Sequence, residues 1–85
     1  MTVTFYRRKP DHSQVIGTIS LVDGKLVADP ADSIALTSAL AEPLSVYQED
    51  GPPKLINPKT HPKEFLKAMP RVYHGTYFWC RPVED

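Results

Sequence analysis

The chain contains one cysteine and three histidines, the residue types best suited to nucleophilic or metal chemistry. Cys80 with His61 or His74 could supply a nucleophile and its base, or part of a metal site. The histidines and the cysteine lack the paired spacing of metal ligands. Cys80 also shares with Phe78 the face of a predicted strand that we expect to be buried, where a free cysteine is commonly a small apolar side chain. We therefore predict no catalytic residue, metal or cofactor, and retain a small Cys/His enzyme only as the second alternative function.

A second candidate is Asp11-His12-Ser13, which contains the three residue types of a hydrolase triad. Neighbouring residues in a turn point their side chains apart, whereas a triad requires groups from separate positions to converge. The segment is therefore interpreted as a solvated turn. The four glycines, at positions 17, 24, 51 and 75, are scattered and form no phosphate-binding loop.

The segment 54–81 interleaves basic and aromatic residues. Single-stranded nucleic acids are bound by such combinations, in which lysine and arginine pair with phosphates and rings stack on bases. The candidate contacts for this alternative are Lys59, Lys63, Lys67, Arg71 and Tyr73. Two points stand against it: the net charge of the chain is zero, whereas nucleic-acid-binding proteins are usually basic, and these aromatic side chains could instead fill the core.

The end of the chain predicts a strand in which side chains alternate between the two faces of a sheet. If Phe78 and Cys80 face the core, then Tyr77, Trp79 and Arg81 share the outer face. Tyr6, Thr4 or Arg8 of the first strand would join them there if the first and last strands pair as neighbours. Tryptophan, tyrosine and arginine dominate the energetics of protein interfaces. The leading hypothesis is therefore a non-enzymatic protein-binding or regulatory module, whose partner is another protein or a second copy in a homodimer.

The firmest structural prediction is a β-hairpin over residues 17–28. Asp23-Gly24 is the residue pair that best tolerates the positive φ angles of a two-residue type I′ turn. This turn predicts that Val22 pairs with Lys25, Leu21 with Leu26, Ser20 with Val27 and Ile19 with Ala28. Ile19, Leu21, Leu26 and Ala28 then form one apolar face, which helices must cover.

The rest of the chain alternates between strand and helix signals. Strands are predicted over 2–8, 15–22, 44–48 and 76–81, and a further strand follows the turn and stops at Asp29. Val3 and Phe5 of the first strand are predicted to face inward. A brief extended segment is predicted over 54–56. One helix is predicted to run from Asp29, as its N-cap, to about Ala41, and another over 60–69 with Pro70 closing it. The predicted fold is α+β: a small antiparallel sheet in the order β-β-β-α-β-α-β with two short helices on one face.

Composition limits the broad class of protein. The length of 85 residues fits one domain over 1–85, and 41% hydrophobic with 24% charged residues is typical of a globular chain. One cysteine indicates a reducing compartment, and the sequence has no apolar run of membrane-spanning or leader type, so we expect a cytoplasmic protein that does not enter membranes. Basic residues concentrate in 1–9 and 54–81 and acidic residues in 10–50, which leaves open whether separate charged patches form.

Overall fold

The computed structural model describes residues 1–75 and 77–83, and it confirms the α+β prediction. Its main sheet is antiparallel and has four strands in the order β3-β2-β1-β6, and a separate pair of short strands, β4 and β5, is also antiparallel. The elements in chain order are β1 (Thr2–Arg8), β2 (Ser13–Val22), β3 (Lys25–Asp29), α1 (Ile34–Ala39), β4 (Leu44–Val46), β5 (Lys54–Ile56), α2 (Pro62–Val72) and β6 (Phe78–Val83).

The predicted hairpin between β2 and β3 is confirmed. Asp23 and Gly24 have φ angles of 51° and 77°, the positive values that a type I′ turn requires. All four predicted residue pairs are present, from Val22 with Lys25 to Ile19 with Ala28. The turn therefore determines which side chains of β2 and β3 face the core.

The core lies between the inner face of the sheet and the two helices. Val3 and Phe5 of β1 are buried there, as alternation predicted, and Ile19 of β2 is fully buried beside them. The helices contribute four further fully buried side chains, namely Leu36 from α1 and Phe65, Leu66 and Met69 from α2. Because helices cover one face of the sheet only, the opposite face is left to solvent or to a partner.

The predicted start of α1 is wrong. Asp29 is the last residue of β3, where it pairs with Thr18, and it does not cap the helix. Ser33 is the N-cap instead, and its hydroxyl accepts a hydrogen bond from the Leu36 backbone N–H at 3.3 Å. Pairing within the sheet therefore takes precedence over the capping preference of aspartate.

Other elements also differ from their predicted bounds: β2 already begins at Ser13, and α1 and β4 end early, at Ala39 and Val46. Lys54–Ile56 is a distinct strand that pairs with Leu44–Val46, so the observed order is β-β-β-α-β-β-α-β. Helix α2 continues to Val72 with Pro70 inside its last turn, rather than ending before Pro70. The last strand covers Phe78–Val83, and residue 76, where it was predicted to begin, lies outside the described residues.

Gly17 lies where β2 meets the end of β3 and helix α1. A Cβ atom added at this position would be 2.2 Å from the Asp29 carbonyl oxygen and 2.9 Å from Leu36 Cδ1. The pairing of β1 with β2 is irregular beside it, between Phe5 and Tyr6, so that Ile16 is an extra residue. Glycine is therefore required here for close backbone approach.

Neither helix in the part of the chain that the structure describes is long and apolar enough to cross a membrane.

Candidate functional site

The outer face of the four-stranded sheet is an open surface. It carries side chains from all four strands, and none of those in the described residues is buried. Both helices pack on the inner face, which contains Val3, Phe5 and Ile19. The outer side chains are Thr2, Thr4, Tyr6 and Arg8 of β1, Ser13, Val15, Thr18, Ser20 and Val22 of β2, Lys25, Val27 and Asp29 of β3, and Trp79, Arg81 and Val83 of β6.

Two aromatic rings stack on this face. Tyr6 and Trp79 are directly opposite each other in the pairing of β1 with β6. Their ring centroids are 4.2 Å apart and the ring planes differ by 11°. The indole Nε1–H of Trp79 also donates a hydrogen bond to the Ser13 hydroxyl oxygen at 3.0 Å. The tryptophan ring is thus held from β1 and from β2.

Two arginines flank the stacked rings. The Arg8 guanidinium lies 5.5 Å from the Trp79 ring centroid, and its Nε–H donates to the Gly75 carbonyl at 2.7 Å. The Arg81 guanidinium lies 6.0 Å from the Tyr6 ring, and its Nη2 donates to the Tyr6 hydroxyl at 3.4 Å. Within residues 1–75 and 77–83, neither arginine forms an ion pair with a carboxylate. We call Tyr6, Arg8, Trp79 and Arg81 the aromatic–arginine cluster.

Tyr77 is at the margin of this cluster. It precedes β6, its carbonyl accepts a hydrogen bond from the Arg8 backbone N–H at 2.8 Å, and 75% of the residue is exposed. Its ring stacks on no ring of the described residues. The structure therefore brings four of the five predicted partner-binding residues into one set of contacts and places Tyr77 beside them.

The cluster offers two stacked aromatic rings and two positive charges, and none of its members is a thiol, an imidazole or a carboxylate. No protein-family model, curated protein or solved structure matches this chain. A function for the open face is therefore inferred from its own chemistry.

The residues of the nucleic-acid alternative do not share one surface with the cluster. Lys63 and Lys67 are exposed on α2, the helix that covers the inner face of the sheet. Tyr73 is half-buried, with its ring centroid 5.2 Å from that of Phe5, and burial raises the pKa of its hydroxyl. Lys59 lies in the turn before α2 and Arg71 in its last turn. Nucleic-acid binding by these residues remains a prediction, with Tyr73 directed at the core rather than at solvent.

Cys80 is buried on the inner face, as predicted, and burial raises its pKa to about 12. A catalytic thiol requires the opposite shift, since the thiolate is the nucleophile. His61 is the exposed N-cap residue of α2, and the exposed His74 pairs with Trp79 through the backbone. No group of three or more metal-ligating side chains forms among the described residues.

The buried thiol predicts a specific dependence of stability on alkaline pH. The Cys80 pKa rises from 9.0 to about 12 in the folded protein, so the unfolded chain loses the proton first. The free energy of unfolding should be unaffected by this group well below pH 9 and fall as the pH rises toward 12, by about 1.4 kcal/mol at one unit above the unfolded pKa. Urea unfolding on both sides of pH 9 measures this effect.

Cys80→Ala provides the control for this measurement. The variant should lack that part of the alkaline loss, while the contributions of lysines and tyrosines remain. Iodoacetamide should also modify native wild-type Cys80 far more slowly than the urea-unfolded chain. Rapid modification of the native protein at neutral pH would contradict burial of the thiol and favour the enzyme hypothesis.

Two contacts of the site could not be read from residue patterns. The Ser13 hydroxyl accepts a hydrogen bond from Trp79, and the Gly75 carbonyl accepts one from Arg8. The sequence predicts turns at both Ser13 and Gly75. The register shift between Phe5 and Tyr6 brings Val15 and Ser13 opposite Tyr6 and Arg8. Such a shift has no simple sequence signal, so the acceptor for the indole N–H was missed.

Proposed function

We propose that this protein is a non-enzymatic protein-binding or regulatory module that uses the aromatic–arginine cluster to hold an acidic segment of a partner protein. The observation that carries the proposal is the Tyr6–Trp79 stack, flanked on an open sheet face by two guanidinium groups that have no carboxylate partner among the described residues.

The residue types support protein binding. Tryptophan, tyrosine and arginine are enriched at the positions of an interface that contribute most to affinity. The surrounding outer-face residues are small or β-branched, including Thr2, Thr4, Thr18 and Ser20. A partner chain can therefore approach the sheet closely around the raised rings.

The contacts that hold the side chains of the cluster in place favour tight binding. Trp79 is held by stacking and by its hydrogen bond to Ser13, while Arg8 is held by the Gly75 carbonyl. Side chains that are already ordered lose less conformational entropy on binding. The remaining N–H groups of the two guanidinium groups point to an acidic partner, because a carboxylate accepts two parallel hydrogen bonds from one guanidinium.

The single cysteine favours a reducing compartment, so the proposed binding takes place in the cytoplasm. The partner is a protein segment rather than a second cluster of the same kind, since two such clusters facing each other would bring four arginines together.

Selection from a displayed peptide library tests the proposal. The wild-type protein should enrich peptides rich in aspartate and glutamate, and the double variant Trp79→Ala/Arg81→Ala should bind the enriched peptides about 30-fold more weakly or not at all. Both side chains lie on the outer face, so the far-UV circular dichroism spectrum should remain that of the folded protein.

The matched control is Lys63→Ala/Lys67→Ala, which also removes positive charge but from the exposed face of α2. It should bind the peptides as the wild type does. Peptides without an acidic excess, or equal binding by the Trp79 and Arg81 double variant, would contradict the proposal. Binding of a single-stranded oligonucleotide by the wild type at low salt, together with no binding by the lysine variant, would favour the nucleic-acid alternative instead.

A further inference from the structure

The two edges of the four-stranded sheet differ in their free hydrogen-bonding groups. On the β6 side, Cys80 N–H donates to the Tyr73 carbonyl and the Phe78 carbonyl accepts from Gly75 N–H, so the chain covers this stretch itself. Pro82 is the next residue of β6 whose backbone groups point away from β1, and it has no N–H to donate. The β6 edge is therefore protected against addition of another strand.

The β3 edge has no such protection. The Leu21 N–H donates to the Met1 carbonyl. The backbone N–H and C=O groups of the odd-numbered residues Ile19 and Leu21 therefore point toward β1, and those of the even-numbered residues of β2 point toward β3. Because Leu26 and Ala28 pair with Leu21 and Ile19, their N–H and C=O groups point away from β2. No backbone hydrogen bond from the described residues satisfies these four groups.

We propose that β3 pairs with β3 of a second copy in an antiparallel, two-fold symmetric arrangement centred on Val27. In this register Leu26 of one copy exchanges two hydrogen bonds with Ala28 of the other, and symmetry repeats the pair. All four free groups of each strand are then used. The result is a continuous sheet of eight strands.

Charge specifies the same register. Centring on Val27 places Lys25 opposite Asp29 of the second copy, on the outer face, and does so twice. Both side chains are exposed, and neither forms an ion pair within residues 1–75 and 77–83. The second copy therefore supplies the opposite charge that each of them lacks.

The neighbouring registers are less favourable. Centring on Leu26 would place Asp23 opposite Asp29, which brings like charges together. Centring on Ala28 would place Leu26 opposite Pro30, which has no N–H to donate. Only the Val27 register among the three satisfies the backbone and pairs the charges.

Sedimentation equilibrium of the full chain tests this proposal with Val27→Lys. Two lysines would then face each other across the symmetry axis, so the dimer dissociation constant should rise at least tenfold. The matched control is Val83→Lys on the β6 edge, since Val83 and Val27 are 43% and 46% exposed. This control should dimerise as the wild type does.

A charge exchange tests the register itself. Lys25→Glu and Asp29→Lys should each weaken the dimer several-fold, and the variant carrying both changes should recover wild-type association, because opposite charges again face each other. The amide hydrogens of Leu26 and Ala28 should exchange more slowly as protein concentration rises.

Three results would overturn the proposal. They are a wild-type chain that stays monomeric up to about 1 mM, a dimer that Val83→Lys weakens and Val27→Lys does not, and charge variants without recovery in the double exchange. The Trp79→Ala/Arg81→Ala variant should dimerise normally. Loss of peptide binding and loss of dimerisation are therefore separate outcomes, and either proposal can fail alone.

Discussion

Gly17→Ala should destabilise the fold by about 3 kcal/mol or more. The added Cβ would meet the Asp29 carbonyl oxygen at 2.2 Å and Pro30 Cδ at 2.8 Å, and neither a backbone carbonyl nor a proline ring can rotate away. Relief requires the end of β3 to move from β2, which breaks the Thr18–Asp29 pairing. For a domain of this size the melting temperature should fall by roughly 12 °C or more.

Gly51→Ala is the matched control for this substitution. A Cβ atom at Gly51 has no neighbour within 4 Å, and the backbone there does not have a positive φ. Its effect should stay within about 0.5 kcal/mol in a thermal unfolding experiment followed by circular dichroism. Equal melting temperatures for the two variants would show that β2 and β3 do not approach as closely as described.

Phe5→Ala should cost about 3–5 kcal/mol, a large part of the stability of a small domain. Phe5 is 2% exposed, and its ring contacts two other aromatic rings, with centroid distances of 5.2 Å to Tyr73 and 5.8 Å to Phe78. It also lines a cleft of about 530 Å³, which truncation would enlarge. The neighbouring rings would lose their contacts without collapsing fully into the space.

Urea unfolding of Phe5→Ala beside Tyr47→Ala measures this effect. Tyr47 is 80% exposed, so removing its ring should change the free energy of unfolding by less than about 0.5 kcal/mol. A loss below about 1 kcal/mol for Phe5→Ala would place the core elsewhere in the molecule.

The parts of the fold that were predictable are those with a local cause. The Asp23-Gly24 turn sets the pairing of β2 with β3 through the geometry of two residues. Alternation in β1 and β6 correctly separates Phe5 and Cys80, which are buried, from Tyr6 and Trp79 on the outer face. Most of the cluster could thus be anticipated from period-two patterning alone.

The parts that were missed depend on distant contacts. Asp29 has the residue type and position of an N-cap, but pairing with Thr18 holds it in the sheet. Tyr73 belongs by sequence to the basic aromatic segment, yet packing against Phe5 directs its ring inward. The Ser13 acceptor depends on an extra residue in β2, which changes the phase of alternation partway along the strand.

The protected β6 edge limits how far such a sheet can grow. If both edge strands were free to pair, copies could add at each end of the sheet and form fibres, which is the usual risk of exposed edge strands. Here the β6 edge is covered by the chain's own backbone and contains a proline, so pairing through β3 uses the remaining open edge of the four-stranded sheet in both copies. Assembly by this route therefore stops at two molecules.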